Sequence, residues 1–454
     1  MAEPDLLLLA GTLAGRLDQD AASLAAAGSD LGHIVEHPPR AVVHPRSVAD
    51  IVAVVRFCIA HHLPLATRGS GHTTFGQAQA DGGIVLDLSS LEIATRWHET
   101  RVYVSAATRW STLVPEAIAR GVTFPVLPDY LGLSVGGTLS SGGVGEASFE
   151  RGTQTDHLLS LEVVTGTGEH VICSPSDRSE LFDACRAGMG QCAIIVAAEL
   201  QLVPAPARVQ LHTLRFPTAA ALLNAQRHFA TSGFEYLQGS VDPGPNGNPV
   251  FTLNAAVSDA VYAPHLPDHA HLGALPGPPQ VDLTYGDFTR RIENLEHAMG
   301  KIGVWDVPHP WAFLTLPTAH AETFLRAVTA AFQRISDGRI LIYLLRPARC
   351  HTPLFALPDS EEVFMFGLLN NVTTGSSDAT LASNADLAKA CLAVGGRVYP
   401  VGSVVLTGAD WRRQLGPRWD AFQAAKRRFD PAAILTPGVG IFAPPEAGAG
   451  ATNA

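Results

Sequence analysis

Residues 65–77 read LATRGSGHTTFGQ, so Gly69, Ser70 and Gly71 stand directly before His72, and Gly76 and Gln77 close the stretch. Glycines this dense let the backbone take positive φ and approach a ligand closely. Successive N–H groups in such a turn form a concave nest for an anion such as a pyrophosphate. An imidazole at the tip of that nest lies against whatever the phosphates belong to. Taken alone, the stretch fits an ordinary surface turn equally well. Its surroundings add weight. Residues 40–44 (RAVVH) read as a strand, and Ser47 can cap a helix whose apolar positions Val48, Ile51, Val52, Val55, Cys58 and Ile59 recur at helical spacing. Residues 63–66 then lead into the nest, which closes a strand–helix–strand unit on a rigid frame.

With 454 residues, 46% hydrophobic and 16% charged, the chain has material for two domains with sizeable cores. A net charge of −11 argues against a nucleic-acid partner, which demands a basic face. The six cysteines (Cys58, Cys173, Cys185, Cys192, Cys350, Cys391) lack C-x-x-C spacing. Free thiols in a reducing cytoplasm are expected, not a disulfide framework or zinc site. Glu3 and Asp5 precede the apolar run at 6–10, where a secretory signal carries positive charge, so that run reads as a surface-packed helix. No apolar stretch approaches the roughly 18–20 residues of a membrane span; a cytoplasmic protein with no membrane partner is expected.

Further along, 84–88 and 101–106 read as strands, and 110–120 as a helix ended by Gly121. A second glycine-dense loop runs over 129–145, with Ser134, Gly136, Gly137, Ser140, Ser141, Gly142 and Gly143. Residues 161–164 and 170–173 form a hairpin around Gly166 and Gly168, Asp177 and Glu180 open a capped helix, and 193–203 is a long strand. Pro204 and Pro206 mark a boundary. Beyond it, helices near 218–230, 287–299, 319–335 and 379–393 alternate with strands at 250–255, 340–344 and 363–368. The insert 263–280 reads as a solvated loop; its His265, His269 and His271 have no carboxylate or cysteine partner spaced to complete a metal shell. One amphipathic helix is expected over 411–429, and a disordered tail over the last dozen residues.

Residues 68–77 (RGSGHTTFGQ), 129–143 (DYLGLSVGGTLSSGG) and 188–194 (GMGQCAI) resemble the flavin-binding half of the vanillyl-alcohol-oxidase superfamily. Within it the chain is most similar to cytokinin dehydrogenases, as a bacterial-like member. Residues 305–311 (WDVPHPW), 367–369, 410–412 and 429–442 continue the match in the same order, so it spans about 40–442. The resemblance implies an α+β fold. A PCMH-type FAD-binding domain would be assembled from both chain ends (1–204 and 401–454), with an inserted α+β substrate, or cap, domain at 205–400. It implies covalent attachment of FAD through His72, a neutral imidazole being a suitable nucleophile for the flavin 8α position. By the same resemblance FAD contacts fall to Thr67, Arg68, Gly69, Ser70, Gly71, His72, Thr73, Gln77, Asp129, Ser134, Ser140, Val144 and Ile194, with Tyr399 beside the ring. Thr73 stands where relatives usually carry serine. Tyr130 stands where some relatives carry a second tethering cysteine, so a single tether is expected. Near Val439 relatives often carry a polar residue.

The reaction implied is oxidation of the secondary amine of N6-isoprenoid adenines, with oxygen or a quinone-like acceptor reoxidising the flavin. Asp129 is the expected base: loss of hydride from carbon needs loss of a proton from nitrogen, and a nearby carboxylate takes it. Its plainer reading is a turn residue capping the backbone that follows. Trp311 resembles the aromatic wall over the substrate, and its plainer reading is a core tryptophan. Gln238 stands where plant cytokinin dehydrogenases carry the glutamate that holds the purine, with Glu235 three residues before it. An amide donates as well as accepts but carries no charge, which leaves room for another substrate: an alcohol, a sugar or a secondary-metabolite intermediate. No metal is expected.

Overall fold

The computed structural model describes residues 4–442 apart from 245–247, 260–271, 276, 294–299, 302 and 336. The expected solvated loop with His265, His269 and His271, the end of the 287–299 helix and the expected disordered tail lie wholly or largely outside the described residues.

Three sheets organise the chain. The first is four-stranded, in the order Arg16–Asp18, Ala41–His44, Ile84–Asp87, Leu65–Arg68. Its last three strands are parallel and the first is antiparallel to its neighbour. The crossover helix Val48–His61 starts at a capping box between Ser47 and Asp50. In the second sheet Arg96–Trp97, Arg101–Ser105, Ala193–Gln201, Leu158–Thr165 and His170–Cys173 pair antiparallel in that order. Ile51, Leu65, Leu86, Val104, Val163 and Val196 fill one apolar core with these two sheets.

The third sheet has eight strands, in the order Val281–Thr284, Arg208–Phe216, Pro249–Ser258, Tyr236–Pro243, Asp337–Leu345, Val363–Asn371, Ala312–Pro317, Arg397–Val398. Side chains alternate across its faces. Leu237, Ile342, Phe366 and Leu314 join Leu222, Phe229 and Leu325 of the helices Ala219–Phe229 and Thr318–Ile335 in a second core. On the other face Gln238, Tyr343, Met365 and Phe313 are left to line a cavity. The final segment returns to the first sheet: Leu65 N donates to Ile434 O at 2.8 Å, and Thr436 N donates to Leu65 O at 2.8 Å. The chain end thus rejoins the first core.

Three local expectations need correction. Residues 411–429 are two helices, Gly408–Leu415 and Trp419–Phe429, because Gly416 takes φ +52 and Pro417 cannot continue the hydrogen-bond ladder. Helix Ser179–Cys185 has no Asp177–Glu180 capping box; it begins after Arg178 in the left-handed region, without a side-chain cap. The second glycine-dense stretch is not all loop, since Val135–Ser141 is helical and is capped by Ser134.

Candidate active site

The strand Leu65–Arg68 delivers the chain into the nest, where Gly71 takes φ +69 and Gly76 φ +77. A buried carboxylate holds the turn from behind. Asp30 accepts hydrogen bonds from Gly32 N (3.0 Å), Thr73 Oγ1 (2.9 Å) and Gly76 N (2.8 Å). Burial raises its pKa, against the pull of those donors and Arg68. The second glycine-dense stretch fits against the first: a Cβ at Gly69 would collide with Ser134 Oγ, and one at Gly136 with Ala106. The two glycines permit this approach; no larger residue fits.

Between these segments and the open face of the eight-stranded sheet lies a cavity of about 580 Å³. It is lined by Thr67, Gly69, Ser70, Gly71, His72, Thr73 and Gln77 of the first glycine-dense stretch, and by Ser134, Ser140, Val144, Ile194 and Tyr399. Asp129, Gln238 and Trp311 line the same cavity. Arg68 is the exception among the expected residues. Its guanidinium turns under the nest, donates to Ser29 O at 2.6 Å and lies behind Gly71. Gln77 ties the nest to the returning chain by donating to Gly402 O at 2.9 Å.

His72 stacks on Tyr130, with ring centroids 4.5 Å apart, and meets Trp311 edge-on at 5.9 Å. Burial, with His309 nearby, pushes its pKa down to about 3, so the imidazole is neutral. Trp311 belongs to the cavity wall and not to a core cluster. Its carbonyl accepts from Ser403 N at 2.6 Å, and Ser403 Oγ donates to Thr74 O at 3.1 Å, which fixes the tryptophan against the nest.

Asp129 does not cap its own turn. Its Oδ2 accepts from Gln238 Nε2 and from Tyr343 Oη, and the two donors are themselves 3.1 Å apart. Burial first, then the charge of Glu146, pushes its pKa up to about 7, while Arg291 and the Tyr343 bond pull it down. Glu235 is turned away: its carboxylate accepts from Ser258 N at 2.7 Å and pairs with Arg151 at 3.5 Å. It does not take the place of the charge absent at Gln238. Val439 also lines the cavity.

Asp30 and Tyr343 escaped the sequence reading, and Trp305, which lines the cavity, entered it only as part of a motif. Tyr343 was detectable in part, since a phenol in an otherwise apolar strand (ILIYLL) is a polar group that needs a partner. Asp30 lies in a stretch with no periodicity and offers no such signal.

The described residues hold no group of three or more His, Cys, Asp or Glu placed to bind a metal ion, and no helix among them is long and apolar enough to cross a membrane. A glycine-rich turn and a cavity of this volume lined by aromatic rings and a carboxylate suit a dinucleotide flavin beside a small organic substrate. Residues 39–174 match the family model of an FAD binding domain. Residues 278–442 match the model described as cytokinin dehydrogenase 1, FAD and cytokinin binding. The fold and cavity are thus those of an FAD-dependent oxidoreductase. An uncharacterized oxidoreductase, ORF5 in the fasciation locus of Rhodococcoides fascians, is 37% identical over 434 residues, covering 94% of this chain and 99% of that protein. Cytokinin dehydrogenase 10 of Oryza sativa subsp. japonica is 33% identical (94% and 88% covered), and cytokinin dehydrogenase 3 of Arabidopsis thaliana is 30% identical (97% and 92% covered). The chain belongs to the cytokinin dehydrogenase-like family.

Proposed function

We propose that this enzyme oxidises the secondary amine of N6-isoprenoid adenines to an imine, which water then cleaves to adenine and an aldehyde. Bound FAD supplies the hydride acceptor. The FAD-binding domain comprises residues 1–204 and 401–454, and 205–400 is the cap that carries the substrate side. Gly69–Thr73 and Ser134 would hold the pyrophosphate, Tyr399, Val144 and Ile194 would lie near the ring, and His72 would be the single covalent tether. Its neutrality suits it to attack an electrophilic carbon. Reoxidation passes to oxygen or a quinone-like acceptor.

The chain's own part in the chemistry is proton transfer and orientation. Asp129 takes the N–H proton as the hydride leaves the adjacent carbon. Tyr343 and Gln238 donate to the same carboxylate oxygen, and so fix the carboxyl at the cavity wall. Trp311 and Trp305 stack against the planar base and exclude water. What carries this reading is the convergence of Asp129, Gln238 and Tyr343 on the wall of the cavity that His72 also lines. Gln238 favours a second reading, oxidation of an alcohol, sugar or secondary-metabolite intermediate, because an uncharged amide stands where plant relatives carry the purine-holding glutamate. Anaerobic addition of isopentenyladenine bleaches the flavin under the first reading. Bleaching by alcohols or sugars alone selects the second.

A further inference from the structure

Behind Asp129, away from the main cavity, lies a second, small one of about 30 Å³. Asp129 lines both. The far walls of the small cavity include Glu146 and Arg291, an ion pair in which the Arg291 guanidinium donates to Glu146 Oε1. Glu146 is only 7% exposed. Its backbone carbonyl accepts from Leu237 N at 3.0 Å, which fastens it to the strand carrying Gln238. Arg291 also donates to Phe288 O at 2.8 Å and lies over the Phe288 ring at 4.3 Å. The pair is therefore held from two sides.

We propose that Glu146 and Arg291 are a positioning pair for Asp129, setting from the rear whether its carboxyl carries a proton when substrate occupies the front. The proposal rests on the reading of Asp129 as the base. The other groups facing this carboxyl do not supply a competing charge. Tyr343 and Gln238 are neutral donors, and Tyr236 and Tyr285 on the small cavity are phenols that burial keeps neutral. Tyr130 follows Asp129 in the chain, and Arg339, on the main cavity, is neutralised by Asp242 at 2.5 Å. In a dry interior the two rear charges act in opposite directions: the Glu146 carboxylate favours the protonated form of Asp129 and the Arg291 guanidinium the ionised form. Their pairing leaves the carboxyl poised between them.

Infrared titration of the resting holoenzyme reads this directly, with the protonated-carboxyl band of Asp129 identified by its loss in Asp129→Asn. Glu146→Gln moves the midpoint of that band down by about 1 pH unit and Arg291→Met moves it up by about as much. The double variant, which removes both charges, returns it close to the parent value, and Arg291→Lys holds it there. The acid limb of kcat/KM follows the same order. Should Arg291→Met fail to fold, Glu146→Gln and Arg291→Lys carry the test. Midpoints that move in the same direction, or do not move, overturn the proposal. Flavin reduction that is undiminished in Asp129→Asn overturns the reading of the base instead, whatever the infrared midpoints do.

Discussion

At the scale of single residues, the site separates two tasks by environment. His72 is kept neutral by burial, whereas Asp129 is brought near the middle of the physiological range. The proposed tether predicts that acid-precipitated protein stays yellow and that His72→Ala releases its flavin into the supernatant; flavin still bound to that variant after denaturation counts against the assignment. Asp129 works as a base only when ionised. Its raised pKa of about 7 therefore makes kcat/KM climb with pH through that region and level off above it. Gln238→Glu adds a second carboxylate beside Asp129 and removes a donor, so the same limb moves to higher pH. An unmoved limb would mean that the two side chains do not meet in solution. That His72 and Asp129 line one cavity was foreshadowed by the glycine-dense stretches they stand in or open, while the roles proposed for them came from the family resemblance. For Tyr343 the sequence showed only a polar group in an apolar strand; its partner Asp129, 214 residues away, is met only through the pairing of distant strands.

Among the elements, the strand–helix–strand unit was readable from capping and periodicity, and the eight-stranded sheet much less so. Its strands Tyr236–Pro243 and Ala312–Pro317 carry one apolar face toward the helices and one mixed face toward the cavity. A mixed face blurs the simple alternation that marks a strand. The helix break at Gly416–Pro417 was masked by the strong amphipathic pattern on either side of it. The Ser47–Asp50 box is a local device with a local cost. Ser47→Ala should lower stability by about 1 kcal/mol, measured by urea unfolding, and leave flavin content unchanged. Gly32 is different in kind, because a Cβ there would run into the Thr74 backbone. Gly32→Ala should displace the nest, cutting flavin incorporation more than it cuts stability. A fully flavinylated Gly32→Ala protein would show that the nest tolerates the shift.

Across the whole molecule, the C-terminal segment fastens the first core to the second. Trp411, Trp419 and Phe422 pack in the core of the eight-stranded sheet, whereas Ile434 and Leu435 pack with the first two sheets. Between them the buried Lys426 donates to Asp430 Oδ2 (2.6 Å), Gln191 O (2.9 Å) and Leu435 O (3.2 Å). Lys426→Met leaves a buried carboxylate unpaired and should cost about 3 kcal/mol or more, with faster hydrogen exchange at the Leu65 and Thr436 amides. No sequence signal foretold that the last helices would serve both cores. The central claim is that Asp129 removes a proton while its neighbour on the substrate gives up hydride. Anaerobic stopped-flow reduction of the bound flavin by isopentenyladenine, in the parent and in Asp129→Asn, tests it most directly. The account predicts bleaching in the parent and a rate lower by about 10²–10⁴-fold in the variant, with flavin content unchanged. Equal rates, or no bleaching of the parent, would contradict it.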